Sequence, residues 1–226
     1  MEILIVAATP YEIAPLMGWL ESNGVPDAQG KFVFGESTFE VMVTGIGPVA
    51  ATWALASRFH TAPLPHLCIQ AGIAGAFDPA LNLGDVVHVA SERWGDVGIE
   101  EADGSFTDVF ELGLTEANEP PYINGILHNP AAAVYDFLPT ARGLTVSRVH
   151  GAETSIEAIK SKYPDVGVES MEGAAFFFAC LQSGVSFVEI RSISNRVEKR
   201  NREAWDLPLA IDKLNDVVIE MLGSLV

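Results

Sequence analysis

Cysteine is scarce in this sequence of 226 residues, which contains only Cys68 and Cys180, each within an apolar segment. A fold that depends on disulfide bonds needs a denser set of cysteines, so a disulfide-rich scaffold is excluded. We predict that both side chains are buried, reduced thiols.

Basic residues are also few. The chain has 13 lysines and arginines against 30 aspartates and glutamates, which gives a formal net charge of −17. Proteins that follow the phosphates of nucleic acid need a basic surface, so nucleic-acid binding is excluded. An anionic membrane surface is an equally poor partner.

Long apolar runs are missing as well. No run in the sequence reaches the roughly 18–20 residues that a membrane-spanning helix requires. Residues 1–8 are apolar, but they lack a basic leader and are soon followed by Pro10 and Glu12. They are typical of a core strand and not of a signal peptide. We therefore expect a soluble, cytoplasmic protein.

The motifs of several catalytic classes are absent. The five histidines are scattered, and no HExxH, paired-histidine or CxxC spacing occurs. There is no GxSxG turn, no Walker A sequence and no GxGxxG sequence. We expect no metal and no cofactor, and a site made of carboxylates, an amide and backbone groups.

What the sequence does contain is an alternation of short apolar runs with helical patterns. Residues 3–8 and 67–71 are continuous apolar runs, as expected of strands buried on both faces. The alternation predicts one domain over 1–226, a three-layer α/β/α fold with a central mixed, mostly parallel sheet. Further strands are expected within 32–43 and over 85–90 and 187–190, and helices from Thr9 to Gly24 and over 49–59, 152–162, 171–182 and 208–222.

The stretch 92–130 departs from this pattern. Its part 92–119 holds nine acidic residues and one basic residue, Arg93, and shows little periodicity. A solvated surface loop explains such a composition. A lid, or a flap between subunits, also explains it, because long irregular insertions in compact domains are often functional.

Candidate functional residues follow the strands, because ligands of open α/β sheets bind beyond the carboxyl ends of the strands. Four segments follow strands in this way, and a fifth opens a helix: Thr9–Glu12, Gly45–Pro48, Gly72–Ala76 and Ser192–Asn195, with Glu169–Ala175 at the start of a helix. Of these, 45–48 and 72–76 are expected to be glycine turns that a ligand could approach closely.

Three of these residues also have purely structural interpretations. Thr9 and Glu12 have the spacing of a capping box, with Thr9 as the N-cap and Pro10 as the first helical residue. Glu172 in the first turn of a helix capped by Ser170 is favoured by the helix dipole. Asn195 after a strand is an ordinary turn residue.

Taken in this order, the segments resemble the purine nucleoside phosphorylase and methylthioadenosine nucleosidase superfamily over nearly the whole chain. The most specific part is Ser170–Ala175 followed by Arg191–Asn195. Within the superfamily the chain is most similar to the futalosine hydrolases, nucleosidases of the alternative menaquinone pathway. The matching segments also include the strand leading to Glu12, Gly45–Pro48, Gly72–Gly75 and Gly84–Val87.

The resemblance implies a role for each matching residue. Glu12 would activate the attacking water, Glu172 would bind the ribose hydroxyls, and Asn195 would face N7 of the purine. Met171 would pack against the sugar. The residues implied to line the base are Ala74, Gly75, Val149 and His150. The resemblance also implies a homodimer in which the flap of one subunit closes the site of its neighbour.

Two choices within the superfamily depend on single residues. A phosphorylase must hold a phosphate dianion, but the segment 7–10 contains no basic residue and leads to Glu12, so water is the expected nucleophile. Methylthioadenosine nucleosidases have an aspartate where this chain has Asn195. An amide carries two N–H donors, which suits the N7 and O6 acceptors of hypoxanthine.

The expected activity is therefore hydrolysis of futalosine, a 5′-modified inosine, with release of hypoxanthine. A methylthioadenosine or adenosylhomocysteine nucleosidase and a non-catalytic nucleoside-binding relative stay open as alternatives. Futalosine carries a carboxylate on its 5′ extension, and four basic residues follow Asn195. A solvated loop explains these four as well, so Arg196, Lys199, Arg200 and Arg202 are not assigned to the site.

Overall fold

The computed structural model describes residues 1–225, which form a ten-stranded mixed sheet, a separate two-stranded hairpin and five α-helices. The sheet contains β1 (Glu2–Ala7), β2 (Val25–Pro26), β3 (Phe32–Phe34), β4 (Ser37–Val43), β5 (Leu67–Ala76), β6 (Val86–Trp94), β9 (Leu127–His128), β10 (Thr140–Thr145), β11 (Val168–Ser170) and β12 (Phe187–Arg196), and the hairpin contains β7 (Gly98–Glu100) and β8 (Phe106–Asp108). The helices are α1 (Ala14–Asn23), α2 (Pro48–Thr61), α3 (Glu153–Lys162), α4 (Gly173–Ser183) and α5 (Leu207–Ser224).

The two faces of β1 show why the helices form two layers. Successive side chains of a strand point to opposite faces. Ile3 and Ile5 pack with buried residues of α1 and α5, whereas Leu4 and Val6 pack with buried residues of α2 and α4. The sheet therefore separates two apolar cores, and the predicted three-layer α/β/α fold is confirmed.

Parallel pairings join the long strands at the centre of the sheet, where β1 lies between β4 and β5 and β12 lies on the other side of β5. Beyond β12 the order continues through β6 and β10 to β11. β11 also pairs with β5, through Val168 opposite Ala76 and Glu169 opposite Gly75. Strands β5, β12, β6, β10 and β11 thus close into a ring, and the carboxyl end of β5 is paired on both sides.

The expected glycine turn at 72–76 is wrong, because β5 continues through these residues to Ala76. A side chain at Gly72 would overlap the guanidinium of Arg191, and one at Gly75 would crowd Asn195. These glycines therefore make room for neighbouring side chains inside a strand. Of the turn expected at 45–48, Gly45 and Gly47 have the positive φ of turn glycines, whereas Pro48 already begins α2. β12 likewise runs on to Arg196.

The first helix begins at Ala14 and not at Thr9. Its N-cap position is Ile13, which makes no side-chain capping bond, and residues 9–13 form turns. Half of the expected capping box is nevertheless present, because the Thr9 backbone N–H donates to Glu12 Oε2 at 2.9 Å. The contact shapes a loop after β1 instead of capping a helix.

The segment 92–130 is not irregular at its ends. Glu92 lies in β6 and is fully buried, and Leu127 lies in β9, which pairs with β6. The irregular part is the excursion between Gly95 and Ile126, which carries the hairpin of β7 and β8.

The two cysteines agree with expectation: Cys68 and Cys180 are both free and buried. Within residues 1–225, no helix combines the length and the apolar character needed to cross a membrane.

Candidate active site

A cavity of about 350 Å³ opens at the carboxyl ends of β1, β5 and β12. Seven of the eight residues assigned to the site from the sequence line it. The assigned residues that line the cavity are Glu12, Ala74, Gly75, Val149, Met171, Glu172 and Asn195. The fold thus brings together the ends of distant segments, as the position of ligand sites in α/β sheets predicts.

Glu12 is held at both its side chain and its backbone. Its Oε2 accepts hydrogen bonds from the Thr9 backbone N–H and from Thr9 Oγ1, both at 2.9 Å, and its Oε1 accepts a longer one of 3.3 Å from Ile73 N–H. The buried amide of Asn215 on α5 donates to the Glu12 carbonyl at 2.9 Å and accepts from Leu16 N–H at 3.0 Å. The carboxylate therefore has a fixed orientation, with Oε1 towards the end of β5.

Glu172 occupies the N-cap position of α4, yet its carboxylate does not cap that helix. Its Oε1 accepts a hydrogen bond of 2.9 Å from the Gly47 backbone N–H, and its Oε2 lies 3.8 Å from an Arg191 guanidinium nitrogen. Burial raises the pKa of Glu172, while Arg191 and the Gly47 N–H oppose that shift. The helix-dipole interpretation misses this arrangement, in which Glu172 joins the glycine turn to the end of β12.

Asn195 lies beside Gly75 at the end of β12. Its amide nitrogen donates to the Arg196 carbonyl at 2.9 Å, and its Oδ1 accepts from Ser194 Oγ at 2.9 Å. These partners fix which end of the amide is the NH₂ group. One N–H is used by the chain itself, so the two free donors expected from the sequence are reduced to one.

His150 does not line the cavity, which corrects its assignment to the base. Its backbone N–H donates to Glu169 Oε1 at 3.1 Å, and its Nδ1 contacts Glu169 Oε2. Glu169 is buried and does line the cavity. His150 therefore lies outside the lining of the cavity, where it fixes the carboxylate of Glu169.

Glu169 is the main site residue that sequence reasoning missed. It belongs to the segment 169–175 and lies one residue before the end of β11, so its nearness to a strand end was a usable signal. Its side-chain direction depends on the pairing of β11 with β5, which joins elements far apart in sequence. Other lining residues outside the assigned set are Ala8, Thr9, Tyr11, Ile46, Ile73, Ser170, Ser194, Arg200, Trp205 and Leu207.

Arg200 is the one basic side chain among the lining residues, whose acidic members are Glu12, Glu169 and Glu172. Its guanidinium lies over the ring of Trp205, 4.8 Å from the ring centroid, a cation–π arrangement. Arg200 is exposed, so it belongs to the mouth of the cavity. One of the four basic residues after Asn195 therefore reaches the site.

A metal centre is not formed by the described part of the chain, where no group of three or more histidine, cysteine, aspartate or glutamate side chains could hold an ion. The chemistry available at the cavity consists of two carboxylates of fixed orientation, Glu12 and Glu172, with an amide donor and a further carboxylate at the end of β5. This combination suits the binding of hydroxyl groups and of a flat, polar heterocycle.

Comparison with known proteins gives consistent results. A model of the phosphorylase superfamily matches residues 2–223. A futalosine hydrolase from Acidothermus cellulolyticus is 33% identical over 220 residues, which cover 93% of this chain and 86% of that protein. A 5′-methylthioadenosine/S-adenosylhomocysteine nucleosidase from Psychromonas ingrahamii is 30% identical over an alignment of 237 positions, which covers 100% of both chains.

Among solved structures, the crystal structure of the corresponding nucleosidase from Neisseria meningitidis, in complex with methylthio-immucillin-A, shares the fold. Its TM-score is 0.77 at 21% identity, and the match covers 99% of each chain.

Proposed function

Because the chain belongs to the phosphorylase superfamily, we propose that it hydrolyses the N-glycosidic bond of futalosine and releases hypoxanthine. Its relatives include both futalosine hydrolases and methylthioadenosine/adenosylhomocysteine nucleosidases, and the chain is an N-glycosyl hydrolase like them. The choice between a 6-oxopurine and an adenine nucleoside depends on the base end of the cavity.

The observation that carries the proposal is the pair of side chains that flank Gly75. Asn195 lies opposite Gly75 on one side of β5, and Glu169 lies opposite it on the other. Hypoxanthine presents N7 as an acceptor and N1–H as a donor. The free N–H of Asn195 suits N7, and the acceptor-only carboxylate of Glu169 suits N1–H. Adenine has an unprotonated N1, which the carboxylate of Glu169 would repel.

The carboxylate of Glu12 supports hydrolysis. Cleavage of the bond builds positive charge on the sugar, as in other glycoside cleavages. Glu12 takes a proton from water as the C1′–O bond forms and the C1′–N9 bond breaks. The bonding electron pair leaves with the purine, which gains a proton from solvent. The Asn195 N–H stabilises the charge on N7, a role usually worth about 2.7–4 kcal/mol per well-placed donor.

Glu172 supports binding of the sugar. One of its oxygens is fixed by the Gly47 N–H, and the other is turned towards Arg191. The remaining acceptor capacity suits the ribose hydroxyls, whose hydrogen bonds strengthen as the sugar becomes cationic. Met171 lines the cavity beside Glu172, where it can pack against the sugar.

The charges of the cavity argue against phosphate as the nucleophile. The lining residues contain three carboxylates and one basic side chain, Arg200, which lies at the exposed mouth. A phosphate dianion near Glu12 would be repelled, and the buried part of the lining offers no arginine fork to bind it.

Arg200 supports an anionic extension on the substrate. Within residues 1–225 no carboxylate forms an ion pair with it. A substrate carboxylate at the mouth would therefore meet a free guanidinium held over Trp205. Futalosine carries such a group at its 5′ position, and its hydrolysis would assign the chain to menaquinone biosynthesis.

The second candidate is a methylthioadenosine or adenosylhomocysteine nucleosidase. It is favoured by the relative from Psychromonas ingrahamii, which matches this chain over its whole length. An apolar 5′ group would contact Ile46, Trp205 and Leu207, which also line the cavity.

A product assay tests the proposal. Futalosine, inosine, methylthioadenosine and adenosylhomocysteine are each incubated with and without phosphate, and the released base and sugar are identified by chromatography. We expect hypoxanthine from futalosine, independently of phosphate. Release of adenine alone would establish the second candidate, and formation of a sugar 1-phosphate would refute hydrolysis.

We also propose that the chain forms a homodimer. Val49 and Trp53 on α2 are 83% and 75% exposed, and Leu114 in the excursion 95–126 is 73% exposed. A hollow of about 730 Å³ lies between α2 and this excursion, and Val49 and Trp53 line it. Exposed apolar patches of this kind mark interaction surfaces. Sedimentation analysis of the wild type and of Trp53→Glu tests the dimer, and a monomeric wild type would refute it.

We also propose that the segment 92–130 acts as a flap that closes the site of the neighbouring subunit, and that the protein is cytoplasmic. The free, buried thiols of Cys68 and Cys180 suit a reducing compartment.

A further inference from the structure

Two carboxyl groups lie outside the lining of the cavity. Glu92 on β6 and Glu189 on β12 are both fully buried. A buried carboxylate without partners is costly, so each of the four oxygen atoms needs a hydrogen-bond partner.

Only one oxygen of each group has a partner among the described residues. Glu189 Oε1 accepts from Arg191 Nε at 2.6 Å. Glu92 Oε2 accepts from Thr145 Oγ1 at 2.9 Å, and Thr145 Oγ1 itself accepts from Ala174 N–H at 2.6 Å. Glu92 Oε1 and Glu189 Oε2 are left buried without a partner.

The space around the two groups shows that they converge. A side chain at Gly173, the first residue of α4, would overlap the Glu92 carboxyl and would also meet Glu189 Oε1. A side chain at Gly143 on β10 would overlap the Glu92 carboxyl as well. The two glycines leave a pocket for both carboxyl groups, side by side.

A single proton gives the two groups a hydrogen bond to each other. On Glu92 it makes that carboxyl group a donor, and Glu189, which lies within hydrogen-bonding reach, becomes the acceptor. We propose that Glu92 is protonated and donates to Glu189, and that this pair is a positioning device that holds Arg191 in place against Glu172 and Glu12.

The electrostatics agree with this assignment of the proton. Burial, and then the charge of Glu189, raise the pKa of Glu92 well above its ordinary value. Burial also raises the pKa of Glu189, but Arg191 opposes that shift. The anion of the pair is therefore Glu189, which lies next to the cation.

Arg191 transmits the effect to the cavity. The charged groups that face it are Glu189 on its own strand, Glu172 at the start of α4 and Glu12 in the loop after β1. Its terminal nitrogen donates to the Ile73 carbonyl at 3.3 Å and lies 3.8 Å from Glu172 Oε2. Glu189 holds the Nε of Arg191, and this contact sets where the guanidinium lies relative to Glu172 and Glu12.

The assignment rests on the hydrolysis proposed above, and three variants test it. Glu189→Gln removes the anion, and we expect kcat to fall about 100-fold through misplacement of Arg191, with KM little changed. Glu92→Leu cannot donate to Glu189, and we expect kcat to fall at least about 10-fold. Glu92→Gln restores a neutral donor, so it recovers most of the wild-type kcat.

Infrared spectroscopy reads the proton without any substrate. We expect a C=O band of a protonated carboxylic acid in the wild type at neutral pH, and its loss in Glu92→Gln. The proposal is overturned if the band persists in that variant, if Glu189→Gln raises KM but leaves kcat unchanged, or if Glu92→Gln is as impaired as Glu92→Leu. If a variant fails to fold, the presence or absence of the band in the wild type still decides. A wild type that cleaves no nucleoside would refute the proposed function and leave the infrared result valid.

Discussion

The floor of the cavity and its mouth differ in burial, in charge and in how their side chains are held. The floor contains Glu12 and Glu172, and Arg191 lies behind them; all three are buried and bound to backbone or to one another. The mouth contains Tyr11, which is 60% exposed, and Arg200, which contacts Trp205. The carboxylates of the floor are buried, where water screens their charges little, whereas the charge of Arg200 at the mouth is exposed to solvent and screened by it.

The difference suggests a division of tasks. Preorganised groups in a site of low dielectric constant stabilise charge that develops in a reaction. Exposed groups contribute less per contact, but they can select among substrates that differ far from the reacting bond. We therefore expect substitutions in the floor to lower kcat and substitutions at the mouth to raise KM.

The largest expected effect is that of Glu12→Gln. The amide oxygen can still accept from Thr9, so the loop is retained, but the side chain no longer takes a proton from water. Loss of a general base should lower kcat about 100- to 10,000-fold with little change in KM. Steady-state kinetics with futalosine measure the effect, and thermal unfolding serves as the control for folding. Nearly intact activity would mean that Glu12 is only a loop-forming residue.

Asn195→Asp tests whether Asn195, which lies between the floor and the mouth, determines the preference for the purine base. A carboxyl group can accept from the 6-amino group of adenine, whereas against O6 it presents an acceptor to an acceptor. A mismatched buried polar pair costs about 1–3 kcal/mol, so the preference should shift about 5- to 150-fold towards adenosine-type nucleosides. The ratio of kcat/KM for adenosine and inosine measures the shift. An unchanged ratio would show that Asn195 does not determine the preference between the two bases.

The buried carboxyl behind the floor predicts a pH-dependent stability. The pKa of Glu92 is higher in the folded state than its ordinary value of 4.5. Its stabilising contribution is therefore fully present below pH 4.5 and is lost as the pH rises towards the folded pKa, by about 1.4 kcal/mol per pH unit. Urea unfolding between about pH 5 and 8 should show this decline in the wild type and a flatter profile in Glu92→Gln. If the free energy of unfolding changed equally with pH in both proteins, a raised pKa of Glu92 in the folded state would be contradicted.

The smallest expected effect is at the mouth. Arg200→Gln removes the one cation among the lining residues, and an exposed ion pair is worth up to about 1 kcal/mol, so KM for futalosine should rise about fivefold. KM for inosine, which has no carboxylate, should not change. Arg202→Gln, in the same basic cluster but away from the lining, is the matched control. Equal effects on both substrates would show that Arg200 does not bind the 5′ group.

Much of the fold and of the floor could be predicted from the sequence, because buried strands and strand ends have local signatures. Glu12, after a strand, and Glu172, at the start of a helix, were candidates by position, but their roles came from the family resemblance; the cavity contains both. The extent of β5 was not predictable, since its glycines resemble a turn unless Arg191 and Asn195 are known to fill the adjacent space.

The contribution of Glu169 and the indirect role of His150 also required the structure. Both depend on the pairing of β11 with β5, a contact between segments about ninety residues apart. No local pattern signals such a pairing. Similarly, the support that Asn215 gives to Glu12 joins the two ends of the chain.

The closed ring of five strands limits how this site can adapt. The end of β5 is hydrogen-bonded to β11 on one side and to β12 on the other. Because the same two strands are also joined to each other through β10 and β6, neither can move away from β5 without breaking hydrogen bonds to its other neighbour. A purine of different shape cannot be accommodated by moving the backbone. New preferences must arise by exchanging side chains on a rigid frame, one position at a time.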